Sequence, residues 1–291
     1  MVSLKQRFSA PGIVVAPGIY DGLSAMLVEQ SGFEAAYLSG ASICYTRFGF
    51  PDIGLVSVSE VIDTLAAIRE RTTIPVIVDI DTGFGNALNV QRTIRGFERA
   101  GASGVQLEDQ VTPKRCGLLP QGIPVISREE QAMKIRAAVD ARSSRDFLII
   151  ARTDAKSMHG LEDASARARA YIEAGADAAL VMGANTPDEL RYVAGIVRAP
   201  LVTVIQETPP TTELTDKLLN QVGCAFALHA GVVRYAVVKA VHDALAALHR
   251  DGNTASVRSM MASFDQYNAV LDLQKWLALE ERYLGAAPRA E

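Results

Sequence analysis

The stretch Pro75-Val76-Ile77-Val78-Asp79-Ile80-Asp81-Thr82-Gly83-Phe84-Gly85-Asn86 decides the fold. A β-branched apolar run ends abruptly in two acids and a glycine-rich turn. A strand apolar on both faces is covered on both, as in a parallel sheet wrapped by helices. The same grammar recurs along the chain. Candidate strands are Ile13–Ala16, Ala35–Leu38, Val76–Ile80, Gly104–Leu107, Phe147–Ala151, Ala178–Met182, Leu201–Ile205 and Ala225–Leu228. Longer helical patterns separate them. Gly32, Gly101, Gly175 and Gly223 stand where helices should close, and Ser57, Ser59, Ser127 and Thr186-Pro187 where helices should start. Eight such units predict an α/β fold of the (β/α)8 TIM-barrel kind over residues 1–250, ahead of an open doubly wound sheet.

Bulk properties agree with one large barrel. The chain has 291 residues, 49% hydrophobic and 21% charged, with net charge -4. No basic cluster or aromatic-rich surface points to nucleic acid, and no apolar run reaches membrane-spanning length. Cys44, Cys116 and Cys224 are widely spaced, with no CxxC, which suits a reducing cytoplasm and argues against structural zinc. The N-terminus lacks the apolar core of a signal peptide. Residues 251–291 form a helical extension after the Asp251-Gly252-Asn253 turn. Its amphipathic segment Val257–Tyr283 carries Met260, Met261, Phe264, Tyr267, Leu271, Trp276 and Leu279. That stripe should pack on the barrel or on a partner subunit.

Catalysis on a barrel occurs where strands end. Those positions here are acidic: Asp79 and Asp81 after strand three, Glu108-Asp109 after strand four, and Arg152-Thr153-Asp154 after strand five. Asp52 follows strand two. Converging carboxylates repel unless a cation sits among them, and oxygen-only donors favour magnesium, with manganese as an alternative. A lone Asp-x-Asp equally suits a helix cap paired with Arg152; Glu108 on the adjacent strand favours the metal. Gly83-Phe84-Gly85 is not a dinucleotide loop, because Leu88 stands where the third glycine belongs. The long connection after strand four carries Lys114-Arg115-Cys116-Gly117. Two readings stay open there: a lid cysteine whose thiolate is stabilised by its basic neighbours, or a solvated basic pair beside an incidental thiol. His159 reads as a solvated loop residue, and His229 lies nearer the mouth.

Taken together, Tyr37-Leu38-Ser39-Gly40, Phe50-Pro51-Asp52-Ile53-Gly54, Val78 to Gly85, Leu107-Glu108-Asp109-Gln110, Lys114 to Gly117 and Ala151 to Ala155 resemble the isocitrate lyase/phosphoenolpyruvate mutase superfamily. The match runs from about Pro17 to Leu248. The resemblance implies a magnesium-dependent enzyme that often exchanges a late helix between subunits as a dimer of dimers. It implies Asp79 as direct metal ligand, with Asp81, Glu108 and Asp52 holding the ion through water. Ser39, Gly40 and Ala41 would cradle a 2-oxo carboxylate, and Arg152 would pair with substrate oxygens. Lys114, Arg115, Gly117 and Glu207 join the substrate-binding set. Cys116 matches the acid of the lyase branch, with Tyr37 or Asp52 near the substrate hydroxyl.

The chain departs from that branch at Leu118, Met182 and Val204, where polar residues usually stand, while Glu207 is kept. Loss of polar groups disfavours a tricarboxylate. The expected activity is carbon–carbon lysis of a small, dimethylmalate-like 2-hydroxy dicarboxylate, releasing a 2-oxo acid such as pyruvate. The alternatives are an oxaloacetate decarboxylase, a phosphonate-type phosphoenolpyruvate mutase, and a retired barrel that senses a 2-oxo acid.

Overall fold

The structure is a computed structural model that describes residues 3–8, 10, 12–117 and 122–285. The β-branched runs form strands β1 (Val14–Ile19), β2 (Ala36–Leu38), β3 (Val76–Asp79), β4 (Gly104–Glu108), β5 (Leu148–Thr153), β6 (Ala178–Val181), β7 (Leu201–Val204) and β8 (Cys224–His229). Each pairs in parallel with the next, and β8 returns to β1 in the register Val14↔Phe226 to Pro17↔His229, closing the barrel. The helices are α1 (Leu4–Phe8), α2 (Gly22–Gln30), α3 (Gly40–Ile43), α4 (Val58–Arg69), α5 (Ala87–Arg99), α6 (Arg128–Ala141), α7 (Lys156–Glu173), α8 (Pro187–Val197), α9 (Asp216–Gln221), α10 (Val232–Asp251), α11 (Phe264–Val270) and α12 (Leu273–Leu284). The expected (β/α)8 architecture is the one observed.

Local signals account for the element ends. Ser57, Ser127 and Thr186 accept hydrogen bonds from the backbone N–H groups of Glu60, Glu130 and Glu189, and so cap α4, α6 and α8. Each such cap contributes about 1 kcal/mol. The four expected helix-closing glycines all take positive φ. Inside the barrel, Val14, Ala16, Tyr37, Ile77, Leu148, Ile150, Leu180, Val202, Phe226 and Leu228 form one buried cluster. Phe8 of α1 stacks on Phe226 at 5.0 Å, so the short leading helix plugs the interior. With the interior filled, chemistry is confined to the rim.

Three details depart from the sequence expectation. β1 does not stop at Ala16 but runs through Pro17 and Gly18 to Ile19. Proline's fixed φ lies in the extended range, and a Cβ on Gly18 would stand 2.3 Å from the Ala230 carbonyl oxygen. After Ser39 the chain does not loop freely: it forms α3 and then a π-helical turn, Cys44–Phe48, closed by Gly49 at φ 66°. The Val257–Tyr283 segment is broken, with a 3-10 turn at Ala255–Met260 and a left-handed Asp272 (φ 56°) between α11 and α12.

By its internal contacts the chain divides into Met1–Arg234, which holds the barrel, and Tyr235–Glu291. In the second unit Val238, Leu245, Phe264, Trp276, Tyr283 and Leu284 are exposed. Among the described residues no helix is long and apolar enough to cross a membrane.

Candidate active site

Strand ends deliver the expected acids to one rim. Asp79 closes β3, Glu108 closes β4, and Asp52 and Asp81 come from loops; all four are buried. Asp79 and Asp81 do not cap the following helix, because Asn86 does so, accepting from the N–H groups of Leu88 and Asn89. The Asp81 N–H donates instead to Asp79 Oδ1 at 3.2 Å, with Asp81 at φ 47°. That turn depends on Gly83, where a Cβ would stand 2.6 Å from Val90 Cγ2.

Lys114 and Arg115 have separate fates. Arg115 is exposed, and its N–H donates to Gln110 Oε1. Lys114 is buried, with Nζ 2.5 Å from Asp52 Oδ1 and 3.0 Å from Asp81 Oδ1. Burial alone would push its ammonium down; Asp81 and Asp52 outweigh that and hold it well above the usual lysine value. The solvated-pair reading therefore fails for Lys114. Asp52 also ties down the lid: its carbonyl oxygen accepts from the Cys116 N–H at 2.9 Å. Cys44 donates its thiol to Asp52 Oδ1 at 3.8 Å, and burial pushes that thiol up to about 12, so it stays protonated.

Arg152 is held on both sides. It makes a two-pronged pair with Asp154, 2.8 Å on each arm, and its Nη1 lies 3.1 Å from Glu108 Oε2. Asp109, next to Glu108, braces the β5 end. It accepts from Thr153 Oγ1 (2.7 Å), the Asp154 N–H (2.9 Å) and Tyr171 OH (2.8 Å). Tyr37 is fully enclosed and accepts from Gln106 Nε2 at 3.0 Å. Burial, then the Asp79 charge, raise its phenol well above the usual tyrosine value, so it keeps its proton. Ser39 accepts from the Ser42 N–H as the cap of α3. Glu207 and His229 meet at 3.0 Å on the β7–β8 side, and His159 is exposed.

The carboxylates fit a hydrated magnesium ion. Burial, opposed by Lys114 and reinforced by Asp79 and Asp52, lifts the Asp81 carboxyl to about 6. Burial, opposed by Arg152, lifts Glu108 well above its usual range. Asp81 Oδ1 and Glu108 Oε1 are buried without hydrogen-bond partners, although Asp81 Oδ1 is within ion-pair distance of Lys114. Beside them lies the space kept open by Gly40: a Cβ there would stand 3.2 Å from Asp81 Oδ1 and 3.5 Å from Asp79 Oδ2. Among the described residues no three His, Cys, Asp or Glu side chains converge to hold a bare ion. Magnesium usually keeps several waters, so one direct ligand with others behind water is compatible with that spacing.

Sequence reasoning missed two groups. A cavity of about 340 Å³ opens beside the Arg152–Asp154 pair, lined by Gly117, Met182, Lys156, Ser157, Asn185 and Gln206 among others. Met182 and Val204 pack on the interior cluster, but the amides and Lys156 keep this side of the rim polar. Leu118 lies outside the described residues. Tyr45, on the π-helical turn, is the second; its hydroxyl faces the Cys116 thiol. No motif announces any of these, since they come from loops, the first turn of α7 and a π-helical turn that the sequence pattern leaves open.

The family model for phosphoenolpyruvate phosphomutase matches residues 4–249. The chain belongs to that family. It is 37% identical over 280 residues to the 2,3-dimethylmalate lyase of Eubacterium barkeri, covering 96% of each chain. It superimposes on oxaloacetate acetylhydrolase bound to 3,3-difluorooxalacetate with a TM-score of 0.91 at 29% identity, covering 98% and 97% of the two chains. A phosphonopyruvate hydrolase complexed with oxalate and Mg2+ matches with a TM-score of 0.87 at 32% identity, covering 97% and 98%. The phosphoenolpyruvate phosphomutase family places this protein among the enzymes of the isocitrate lyase/phosphoenolpyruvate mutase superfamily.

Proposed function

We propose that the protein is a magnesium-dependent lyase that cleaves a small, dimethylmalate-like 2-hydroxy dicarboxylate to a 2-oxo acid such as pyruvate and a second carboxylate. The observation that carries this is Cys116, a partly exposed thiol tethered through its own N–H to Asp52, the residue that also pairs with Lys114. A decarboxylase needs no such thiol at the rim. The likeness to 2,3-dimethylmalate lyase supports the same substrate class.

Asp79 would hold the metal directly, with Asp81, Glu108 and Asp52 behind its waters. When bound, the ion supplies Lewis-acid stabilisation of the negative oxygens of the 2-oxo acid. Ser39, Gly40 and Ala41 orient the substrate carboxylate, and Arg152, fixed by Asp154, opposes its charge. Lys114 balances the acids, Gly117 lines the cavity, and Glu207, paired with His229, would join the substrate contacts from the β7–β8 side. Tyr37 retains its proton and so donates to substrate oxygen. That leaves Asp52 to receive the hydroxyl proton as the C2–C3 bond breaks. The bonding pair moves to C3, and Cys116 gives C3 its thiol proton. A proton returning from Asp52 through solvent restores the thiol.

Three free cysteines fit a reducing cytoplasm, and the exposed apolar side chains of residues 235–291 support helix exchange in a homotetramer. Incubation with Mg2+ and a panel of diacids tests the activity. Pyruvate from 2,3-dimethylmalate supports the lyase. CO2 from oxaloacetate would support the decarboxylase, and oxalate plus acetate a carbon–carbon hydrolase. Binding without turnover would favour the sensor. Asp79→Ala is expected to abolish metal-dependent turnover; full activity in EDTA would sink the metal assignment.

A further inference from the structure

We propose that Tyr45 is the positioning residue for Cys116, with Arg234 clamping the tyrosine from its far side. The inference rests on the reading of Cys116 as the proton donor.

Tyr45 sits on the Cys44–Phe48 π-helical turn, closed by Gly49. The next turn is fixed by the Phe50 N–H donating to the Cys44 carbonyl oxygen at 3.0 Å. Arg234 lies over the Tyr45 ring at 5.1 Å and donates to Ser42 Oγ at 3.2 Å, so the ring is held between α3 and the start of α10. From the other direction the Cys116 backbone is fixed to Asp52. Hydroxyl and thiol thus meet with both ends anchored. Burial pushes the Tyr45 phenol up to about 12, so it keeps its proton and can donate to the sulfur.

That polarity suits the chemistry. Cys116 gives its S–H proton to C3 of the departing carboxylate and is left as a thiolate. The Tyr45 O–H then donates to that sulfur without transferring its own proton, and the guanidinium over the ring strengthens the donor. The same contact holds the sulfur in place before the step and leaves its S–H free to point at C3.

Two measurements test this on the full-length enzyme. In Tyr45→Phe, kcat should fall about tenfold or more, as for loss of one hydrogen bond to a charged group, with KM changed less than about twofold. Alkylation of Cys116 by iodoacetamide at fixed neutral pH, read by mass spectrometry, should slow by a similar factor. Arg234→Gln should give a smaller drop of the same pattern, and unchanged melting temperatures exclude a folding defect. Alkylation at the wild-type rate in Tyr45→Phe overturns the proposal whatever the turnover. If Cys116→Ser retains full turnover, the proton-donor reading fails, and the alkylation rates still decide whether Tyr45 governs the thiol.

Discussion

Gly40→Ala separates the candidate site from the fold. Gly40 opens α3 behind its Ser39 cap, and its φ is not among the positive ones, so alanine suits the backbone. On propensity alone the change should stabilise the protein by up to about 1 kcal/mol, raising the melting temperature by about 2–4 °C for a chain of this size. The added methyl is another matter. It would stand 3.2 Å from Asp81 Oδ1 and 3.5 Å from Asp79 Oδ2, tighter than an ordinary contact at the first and filling the space where a metal-bound water belongs. A carboxylate displaced by a few tenths of an ångström, or one lost water, should cost about 10- to 100-fold in turnover, given the steep dependence of rate on geometry. Calorimetry gives the stability, titration of Mg2+ against intrinsic fluorescence the affinity, and steady-state kinetics the rate. A Gly40→Ala protein that is stable, binds Mg2+ normally and turns over at the wild-type rate would refute the reasoning that this space serves the ion.

Cys116→Ser should lower lyase turnover by about 100-fold or more, the range for loss of a general acid, while Mg2+ affinity is unchanged; an unaltered rate would make the thiol a bystander. Asp109→Ala should cost about 3–5 kcal/mol, because the buried Thr153, Tyr171 and Asp154 donors lose their common acceptor; urea unfolding measures it, and a loss under 1 kcal/mol, about the value of a single ordinary hydrogen bond, contradicts it. Lowering pH through about 6 should release Mg2+, since Asp81 takes up a proton there that competes with the ion. The sign is opposite for the metal-free protein: a carboxyl raised from 3.8 to about 6 binds its proton more tightly when folded, so stability falls as pH climbs across that window. Thermal unfolding with and without Mg2+ between those values reads both effects.

The barrel was legible because its signals are local and repeated. Alternating apolar runs, capping residues and closing glycines each act within a few residues, and eight copies leave little choice of architecture. Asp79 and Glu108 were legible for the same reason: a residue at a strand end is placed by the strand, and Asp81 follows two residues on in the turn fixed by Gly83. Lys114 was not. Whether it is solvated or buried depends on Asp52 and Asp81, contributed by other loops at 2.5 and 3.0 Å. Arg152 is legible as a rim cation, but the two-armed grip of Asp154, only two residues on, is not. Tyr45 was invisible because a π-helical turn, not the expected loop, sets its direction. The polar lining around Met182 was hidden likewise, since Lys156 at the start of α7 and Asn185 and Gln206 from two later connections converge on it.

The charge balance at the rim argues for a dication more strongly than the ligand types do. Lys114 and Arg152 are the buried cations there, facing Asp52, Asp79, Asp81, Glu108 and Asp154. Arg152 is absorbed by Asp154 and Glu108, and Lys114 by Asp52 and Asp81, so Asp79 is left without a cationic side chain within ion-pair distance among the described residues. Burial, with neighbouring acids adding to it, lifts the Asp81 carboxyl to about 6 and Glu108 well above its usual range. A protein selected only for stability would replace such acids with apolar groups, because burying unpaired charge costs several kcal/mol. Keeping them is reasonable if a divalent ion balances them during turnover. A 2-hydroxy dicarboxylate then adds negative charge to a rim that the ion has first made receptive, and Arg152, rigid against Asp154, needs no reorganisation to meet it.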